Sequence, residues 1–139
     1  DPGSCLIDNQ YMFGSDMLVA PLFSDEKERD VYLPEGNWID YQSGKKYAGS
    51  WHHIVGGEVP MIAMVKEGCA IPHIRLAQST AFMDWSVLDL KVYGDVDGIA
   101  SGKVVVPGAS LETVTLTRDG RGYALEEIPF NGQVKFRIR

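Results

Sequence analysis

Residues 31–47, VYLPEGNWIDYQSGKKY, decide the fold of this chain because they predict two short strands separated and followed by tight turns. The segments RDVYLP and NWIDYQ are rich in the β-branched and aromatic residues that strands favour. Pro34 and Gly36 part them, since proline presets one backbone dihedral and glycine accepts a positive one. Ser43 and Gly44 mark the next turn. The stretch therefore predicts consecutive strands.

Alternation of apolar and polar residues extends this prediction in both directions along the chain. Val134, Phe136 and Ile138 share one face of QVKFRIR, and Val114 and Leu116 share one face of LETVTLT. About ten segments read as strands, helical periodicity is nearly absent, and 15 Gly and 7 Pro punctuate the sequence. RDGRG, residues 118–122, predicts a hairpin tip. We expect an all-β fold, an antiparallel β-sandwich of about eight to ten strands with little or no helix.

Size and charge limit the classes of function. The 139 residues suffice for one domain, and the net charge of −6 argues against nucleic acid or an anionic membrane as a partner. No apolar run approaches the roughly 20 residues of a membrane span. Because the first residue is Asp1, we expect a longer parent chain. Cys69 lies in an apolar setting and is predicted to be a buried reduced thiol. This favours a cytoplasmic location, although the compartment is left open.

Two groups of residues were considered as metal ligands and do not fit. His52 and His53, with His73 and Cys69, lack the usual zinc spacings, and adjacent strand residues point to opposite faces. Residues 95–98, DVDG, start like a calcium loop, but the glycine and glutamate that such a loop needs later are absent. We expect a polar turn at residues 95–98 and no metal site.

Catalytic motifs are also incomplete. Gly108, Ala109 and Ser110 begin like a nucleophile elbow, but Glu112 occupies the position of the second glycine. A working carboxylate pair needs two carboxyl groups that face each other, which a sequence does not show. Solvated charge is the default interpretation for the plentiful carboxylates Asp84, Asp89, Asp95, Asp97, Glu126 and Glu127.

Four aromatic residues, Trp38, Tyr41, Tyr47 and Trp51, cluster within 14 residues of sequence, from Trp38 to Trp51. Exposed aromatic rings on a sandwich can stack against sugars. The same residues can instead pack in the core, because NWIDYQ carries a hydrophobic residue on each face. Both interpretations, core packing and carbohydrate binding, stay open at this point.

Four ordered phrases together resemble glycoside hydrolase family 31, the α-glucosidases and α-xylosidases. Residues 10–21, QYMFGSDMLVAP, resemble the segment that leaves the family's catalytic barrel. Residues 31–40 look like its YLP-x-G-x-W-x-D hairpin, and residues 44–49 like the G-x-x-Y-x-G that follows. Residues 65–72, VKEGCAIP, are similar to the strand and turn that end in G-x-I-I-P. Ala63 departs from the family's usual proline, and the likeness thins after about Tyr93.

The resemblance implies a β-sandwich placed just after a (β/α)₈ barrel. We expect residues 1–15 to be a leader from that absent barrel and residues 16–93 to be the proximal β-sandwich. Residues 94–139 then complete the sandwich or form a shortened distal β subdomain. Residues 1–13 should be poorly ordered or cover an apolar patch. A strand there that is paired on both sides would contradict this junction.

The family's nucleophile and acid/base carboxylates lie in the barrel, so the resemblance assigns no catalytic residue to this chain and no cofactor. The leading hypothesis is a non-catalytic C-terminal β-sandwich of a family 31 α-glycosidase, inactive alone, that braces the barrel as its partner. The parent would hydrolyse α-glucosidic or α-xylosidic bonds. A first alternative is a carbohydrate-binding module that uses the four aromatic residues. A second is a stand-alone interaction sandwich whose likeness to the family is accidental.

Overall fold

The computed structural model describes residues 7–139, which form thirteen strands and two short 3₁₀ turns. These residues divide into two compact units, with the boundary between Glu67 and Gly68. The first unit contains β1 (Tyr11–Phe13), β2 (Met17–Pro21), β3 (Glu28–Tyr32), β4 (Asn37–Asp40), β5 (Lys46–Ala48), β6 (Trp51–Val55) and β7 (Met61–Lys66). The second contains β8 (Cys69–His73), β9 (Val87–Tyr93), β10 (Ile99–Val104), β11 (Glu112–Asp119), β12 (Gly122–Leu125) and β13 (Lys135–Ile138). The 3₁₀ turns are Thr80–Phe82 and Pro129–Gly132. The all-β prediction is confirmed. Within residues 7–139 no helix is long and apolar enough to cross a membrane.

The N-terminal unit is a small β-sandwich. Its larger sheet has the strand order β1-β2-β7-β4-β5, with antiparallel pairing throughout, and its smaller sheet pairs β3 with β6. Leu18, Trp38 and Met64 of the larger sheet share one buried cluster with Val31 and Ile54 of the smaller sheet. The two sheets therefore face each other across a common apolar core.

The C-terminal unit is one six-stranded sheet with the order β12-β11-β10-β8-β9-β13. Most of its pairs are antiparallel, as predicted, but β8–β10 and β9–β13 are parallel. Its own core includes Leu90, Val104, Leu116 and Phe130. The predicted alternation is confirmed on β11, where Leu116 is fully buried and the flanking threonines are not.

The two units meet in sequence between Glu67 and Gly68, whereas the expected parts were residues 16–93 and 94–139. The two divisions differ because β8 and β9 hydrogen-bond to β10 and β13, so residues 69–93 share a sheet with later strands. Strand pairing between distant segments does not follow the change in composition near residue 93. Which of these residues the parent protein uses as a separate domain stays a prediction.

The leader enters the N-terminal unit as an edge strand. β1 pairs with β2 alone among the described strands, and the Gly14 turn, with a φ of 69°, joins the two. In β2, Leu18 and Ala20 are buried, as expected for the first core strand. The outcome that would contradict a junction, a strand paired on both sides, is not found for residues 11–13. Residues 1–6 of the predicted leader lie outside the described residues.

Candidate functional site

Trp38 on β4 anchors the core of the N-terminal unit. Its side chain is 1% exposed, and its indole N–H donates a hydrogen bond to the Pro34 carbonyl at 2.9 Å. This bond ties the strand to the preceding turn, in which Gly36 has a φ of 125°. An added Cβ at Gly49 would lie 2.4 Å from the same Pro34 oxygen, so a side chain there would displace the turn. The tryptophan and both glycines thus serve folding.

Asp40 closes the next turn of the same hairpin. Its carboxylate accepts a hydrogen bond from the Gln42 backbone N–H at 2.8 Å, and its carbonyl accepts from the Gly44 N–H at 2.8 Å. A buried carboxylate needs such donors, and Asp40 is only 8% exposed. Gly44 has a φ of 76°, which a residue without Cβ adopts at no steric cost. Asp40, the last residue of the YLP-x-G-x-W-x-D phrase, is therefore a turn residue whose carboxylate is not free for catalysis.

The four candidate sugar-binding aromatics do not form one exposed platform. Trp38 is buried and offers no ring face to a ligand. Tyr47 faces Trp38 across the β4–β5 pair and packs partly against the core, while Tyr41 is half-buried. Trp51 is 58% exposed, and its ring lies 5.5 Å from that of Tyr32. The structure thus separates a buried Trp38 from an exposed Trp51.

An exposed apolar surface surrounds Trp51 and the leader. We call Tyr11, Phe13, Tyr32 and Trp51 the aromatic face. Tyr11 and Tyr32 line one depression of about 150 Å³, and Tyr11 and Phe13 are 53% and 65% exposed. The Gln10 side chain fixes the leader here, because its amide donates to the Tyr32 carbonyl at 2.6 Å and accepts from the Tyr32 N–H at 3.0 Å. Tyr11, Tyr32 and Trp51 thus lie near one another, and Phe13, two residues after Tyr11 on β1, adds a further exposed ring. Exposed aromatic side chains in such numbers are typical of an interaction surface.

The three histidines have separate partners. The His52 ring nitrogen contacts the Ala48 carbonyl at 2.7 Å, whereas His53 contacts the Asp30 carboxylate at 2.7 Å. His73 contacts its own strand at the Ile71 carbonyl, 2.9 Å away. Among the described residues, no three His, Cys, Asp or Glu side chains are grouped to hold a metal ion. Cys69 is buried, as predicted.

His53 forms an exposed ion-pair cluster on the smaller sheet. Its hydrogen bond to Asp30 raises the pKa of His53 above the ordinary value of 6.5, against a smaller opposing effect of desolvation. Glu28, whose carboxylate lies 3.6 Å from the ring, acts in the same direction. Both carboxylates favour the imidazolium form, so this histidine is a cation more often than an isolated one.

The Asp95 loop is a hairpin turn. Val96 and Ile99 exchange two 3.0 Å backbone hydrogen bonds, and Asp97 and Gly98 have φ values of 55° and 79°. Positive φ at both central residues is the geometry of a type I′ turn. The polar-turn prediction is confirmed. The Asp95 carboxylate accepts from the Gly98 N–H at 3.0 Å.

Asp95 is further occupied by neighbouring side chains. It accepts a hydrogen bond from the Tyr123 hydroxyl and pairs with Arg118 at 3.2 Å. The hydrogen bond to Asp95 and then desolvation raise the pKa of Tyr123, because the phenol must stay protonated to donate. The cluster pins the hairpin to β11 and β12.

Other candidate carboxylates also hold structural partners. Asp84 accepts from the Ser86 hydroxyl and N–H, and these bonds lower the pKa of Asp84. Asp89 pairs with Arg137 at 2.7 Å, and Glu126 accepts from the Thr117 hydroxyl at 2.7 Å. Ser110 lies in an exposed turn after Gly108. These residues stabilise turns and strand pairs, and none of these contacts activates a nucleophile.

A groove in the N-terminal unit escaped the sequence analysis. It measures about 660 Å³ and lies between the β4–β5 turn and the loop that follows β6. Gln42 spans it: its side chain donates to the Met61 carbonyl at 2.9 Å and accepts from the Val59 N–H at 3.0 Å. An added Cβ at Gly57 would lie 2.5 Å from the Gln42 amide oxygen. The adjacent Gly56 and Gly57 were the signal in the sequence, because paired glycines mark a close backbone approach.

Residues 1–74, just over half of the chain, match the family described as "Glycosyl hydrolase family 31 C-terminal domain". The match covers the N-terminal unit and ends after β8. An α-xylosidase, XylQ from Lactiplantibacillus pentosus, is 36% identical over 69% of this chain, which spans 13% of XylQ. An α-xylosidase from Emericella nidulans is 33% identical over 73% of this chain, which spans 14% of that enzyme. The chain therefore spans only a small part of these relatives.

Solved structures show the same fold over more of the chain. The cycloalternan-forming enzyme of Listeria monocytogenes, in complex with a pentasaccharide substrate, superposes with a TM-score of 0.68 and 26% identity. That match covers 86% of this chain and 12% of the enzyme. The GH31 dextranase of Flavobacterium johnsoniae, with glucose bound, gives a TM-score of 0.68 at 22% identity, covering 86% of this chain and 16% of the enzyme. At that identity the dextranase shows the fold alone.

Proposed function

Because this chain belongs to glycosyl hydrolase family 31, as a C-terminal domain of the α-glucosidase and α-xylosidase type, we propose that it is a non-catalytic β portion that braces the catalytic barrel. The observation that carries the proposal is the structural role of the residues that resemble the family, within residues 31–40 and 44–49. Trp38, Asp40 and Gly49 are all committed to the core or to turns. A phrase whose residues all serve the core and its turns supports a scaffold role.

The reaction itself belongs to the rest of the parent protein. Retaining glycoside hydrolysis needs two carboxyl groups about 5 Å apart, with separated pKa values, across the scissile bond. In this chain Asp89 and Asp95 are each neutralised by an arginine, and Asp40 is held by its own turn. We therefore place the hydrolysis of α-glucosidic or α-xylosidic bonds on the preceding barrel. The small share of each relative that this chain spans supports that division.

The aromatic face is the surface that would contact the barrel. It includes the leader strand β1, so it lies where the chain comes from the preceding part of the parent. Aromatic residues contribute much of the binding energy of protein interfaces, because they bury large area at little cost in conformational entropy. Gln10 holds the leader against Tyr32 before any partner is present. The exposed rings of Phe13 and Trp51 would then be buried in the interface with the barrel.

The contribution of the aromatic face can be measured in the full-length parent with the double variant Phe13→Ser/Trp51→Ala. Truncating interface aromatics costs about 2 kcal/mol or more, so the half-life of glycosidase activity at elevated temperature should fall at least ~10-fold. The control is Val55→Ser, which removes a 63% exposed apolar side chain from the same strand as Trp51. Equal half-lives for the double variant and the control would show that the aromatic face does not contact the barrel. Circular dichroism of the 139-residue chain checks that both variants keep their fold.

A further inference from the structure

We infer that the groove spanned by Gln42 is a second binding site, for a short neutral oligosaccharide, on the N-terminal unit. This site is distinct from the aromatic face and goes beyond the bracing role. Its volume of about 660 Å³ lies within the ordinary range for small-molecule sites.

The groove offers the two kinds of surface that a sugar presents. Val55 and Val59, 63% and 46% exposed, provide apolar area for the C–H faces of a pyranose ring. Lys45, Glu58 and His53 provide donors and acceptors for hydroxyl groups. A site that binds an amphipathic ligand in this way combines a mainly apolar lining with a few placed polar groups.

Tyr47 supplies the aromatic ring of the site. Its ring is held from one side by the edge of His52, with centroids 5.1 Å apart at 71°. Lys45 covers the ring, with its ammonium nitrogen 5.2 Å from the centroid. Because the lysine stem is flexible, the ammonium group can leave the ring and donate to a hydroxyl while a sugar stacks on Tyr47. The exposed Lys45 side chain thus lies over the Tyr47 ring in the free protein and would donate a hydrogen bond to a bound sugar.

The groove carries charges of both signs. Lys45 and His53 line it together with Asp40 and Glu58, and His53 also faces Asp30 at 2.7 Å and Glu28 at 3.6 Å. An anion would meet Glu58, and a cation would meet Lys45. A polyhydroxylated ligand without charge meets neither cost and can hydrogen-bond to both.

The walls are fixed before a ligand arrives. Gln42 joins the β4–β5 turn to the loop of Val59 and Met61 through its side-chain amide. Gly57 permits this contact, since any Cβ there would overlap the Gln42 amide oxygen. Preformed walls reduce the entropy lost on binding, which lets a small ligand bind without a conformational change.

Titration of the 139-residue chain with isomaltotriose and with maltotriose, followed by ¹H–¹⁵N spectra, tests the site. We expect amide shifts confined to residues 42–47 and 53–59, with a Kd of the order of millimolar, as befits an open site. Lys45→Ala should weaken binding at least ~5-fold. The matched control Lys103→Ala removes an exposed lysine from β10 of the other unit and should leave Kd unchanged.

Three outcomes would overturn the inference. The first is the absence of shifts with either sugar at concentrations of about ten times the expected millimolar Kd. The second is equal binding by the Lys45→Ala and Lys103→Ala variants. The third is a stronger effect of inorganic phosphate or of an acidic peptide on the same amides, which would assign the groove to anions. Glu58→Gln serves as a second variant at an exposed position if Lys45→Ala alters the spectra globally.

Discussion

Replacing Trp38 by alanine should lower the free energy of unfolding of the N-terminal unit by about 4 kcal/mol, as is usual for a buried tryptophan. The indole is 1% exposed and packs in the cluster shared by both sheets of the unit. The variant also leaves the Pro34 carbonyl without its 2.9 Å donor. Because small domains are stable by only about 5–15 kcal/mol, a loss of this size brings the unit close to global unfolding.

The matched control for this prediction is Trp51→Ala. Trp51 is 58% exposed and contacts Tyr32, so its loss should cost about 1 kcal/mol or less. Urea unfolding followed by far-ultraviolet circular dichroism measures both variants. Trp38→Phe keeps most of the apolar contact and should fall between them. Equal stability of Trp38→Ala and Trp51→Ala would show that Trp38 is not the anchor of the core.

Replacing Gly102 by alanine should destabilise the C-terminal unit by about 3 kcal/mol, at the upper end of the usual cost of overpacking. The added Cβ would lie 2.1 Å from the Ala70 carbonyl oxygen, which belongs to the backbone of the neighbouring strand. Ser101 of β10 is in register with Cys69 of β8 in this parallel pair. Relief of the overlap requires the two strands to separate at the centre of the sheet.

Gly120→Ala is the control for Gly102→Ala. Gly120 lies in the β11–β12 turn, and its added Cβ would meet no atom within 4 Å, so stability should change by less than about 0.5 kcal/mol. Thermal unfolding and amide exchange of Val114 and Leu116 report on this unit separately from the other. A Gly102→Ala variant as stable as Gly120→Ala would contradict the close β8–β10 approach.

The sequence predicted those strands whose alternation is strong. β11 buries Val114 and Leu116 on the expected face. β13 packs Phe136 and Ile138, both partly buried, against the same core. β5 has only three residues, and β6 carries two histidines in WHHIV. Such residues have weak strand preference, so pairing with β4 and β3 decides their conformation.

Local preference alone would misplace β10. The β-branched residues of KVVVP, residues 103–107, favour a strand, but β10 is Ile99–Val104. Its centre contains Ala100 and Gly102, which have low strand propensity. Gly102 lies so close to Ala70 that an added Cβ would overlap the Ala70 carbonyl oxygen. The parallel pairing that selects these small residues joins segments about 30 residues apart, beyond the reach of any local pattern.

The candidate sites, like the strands, could be predicted only where local sequence decides the structure. Turn chemistry was readable locally, so the Asp97 and Gly98 turn was predicted correctly. The exposure of the two tryptophans could not be predicted, because Trp38 and Trp51 both lie on strands. Only Trp38 packs in the core that the two sheets of the unit share. The groove depends on Gln42 bonding to a loop 17 residues away, which tertiary structure alone brings together.

Hydrolysis of aryl α-glucosides and aryl α-xylosides by the 139-residue chain tests the central claim most directly. The account predicts no turnover above background for the chain alone, and turnover only by the parent protein that carries the catalytic barrel. The occupied carboxylates Asp40, Asp89 and Asp95 are the physical reason for this expectation. Hydrolysis by the isolated chain that survives repurification would contradict the account, because it would place a working carboxylate pair within these residues.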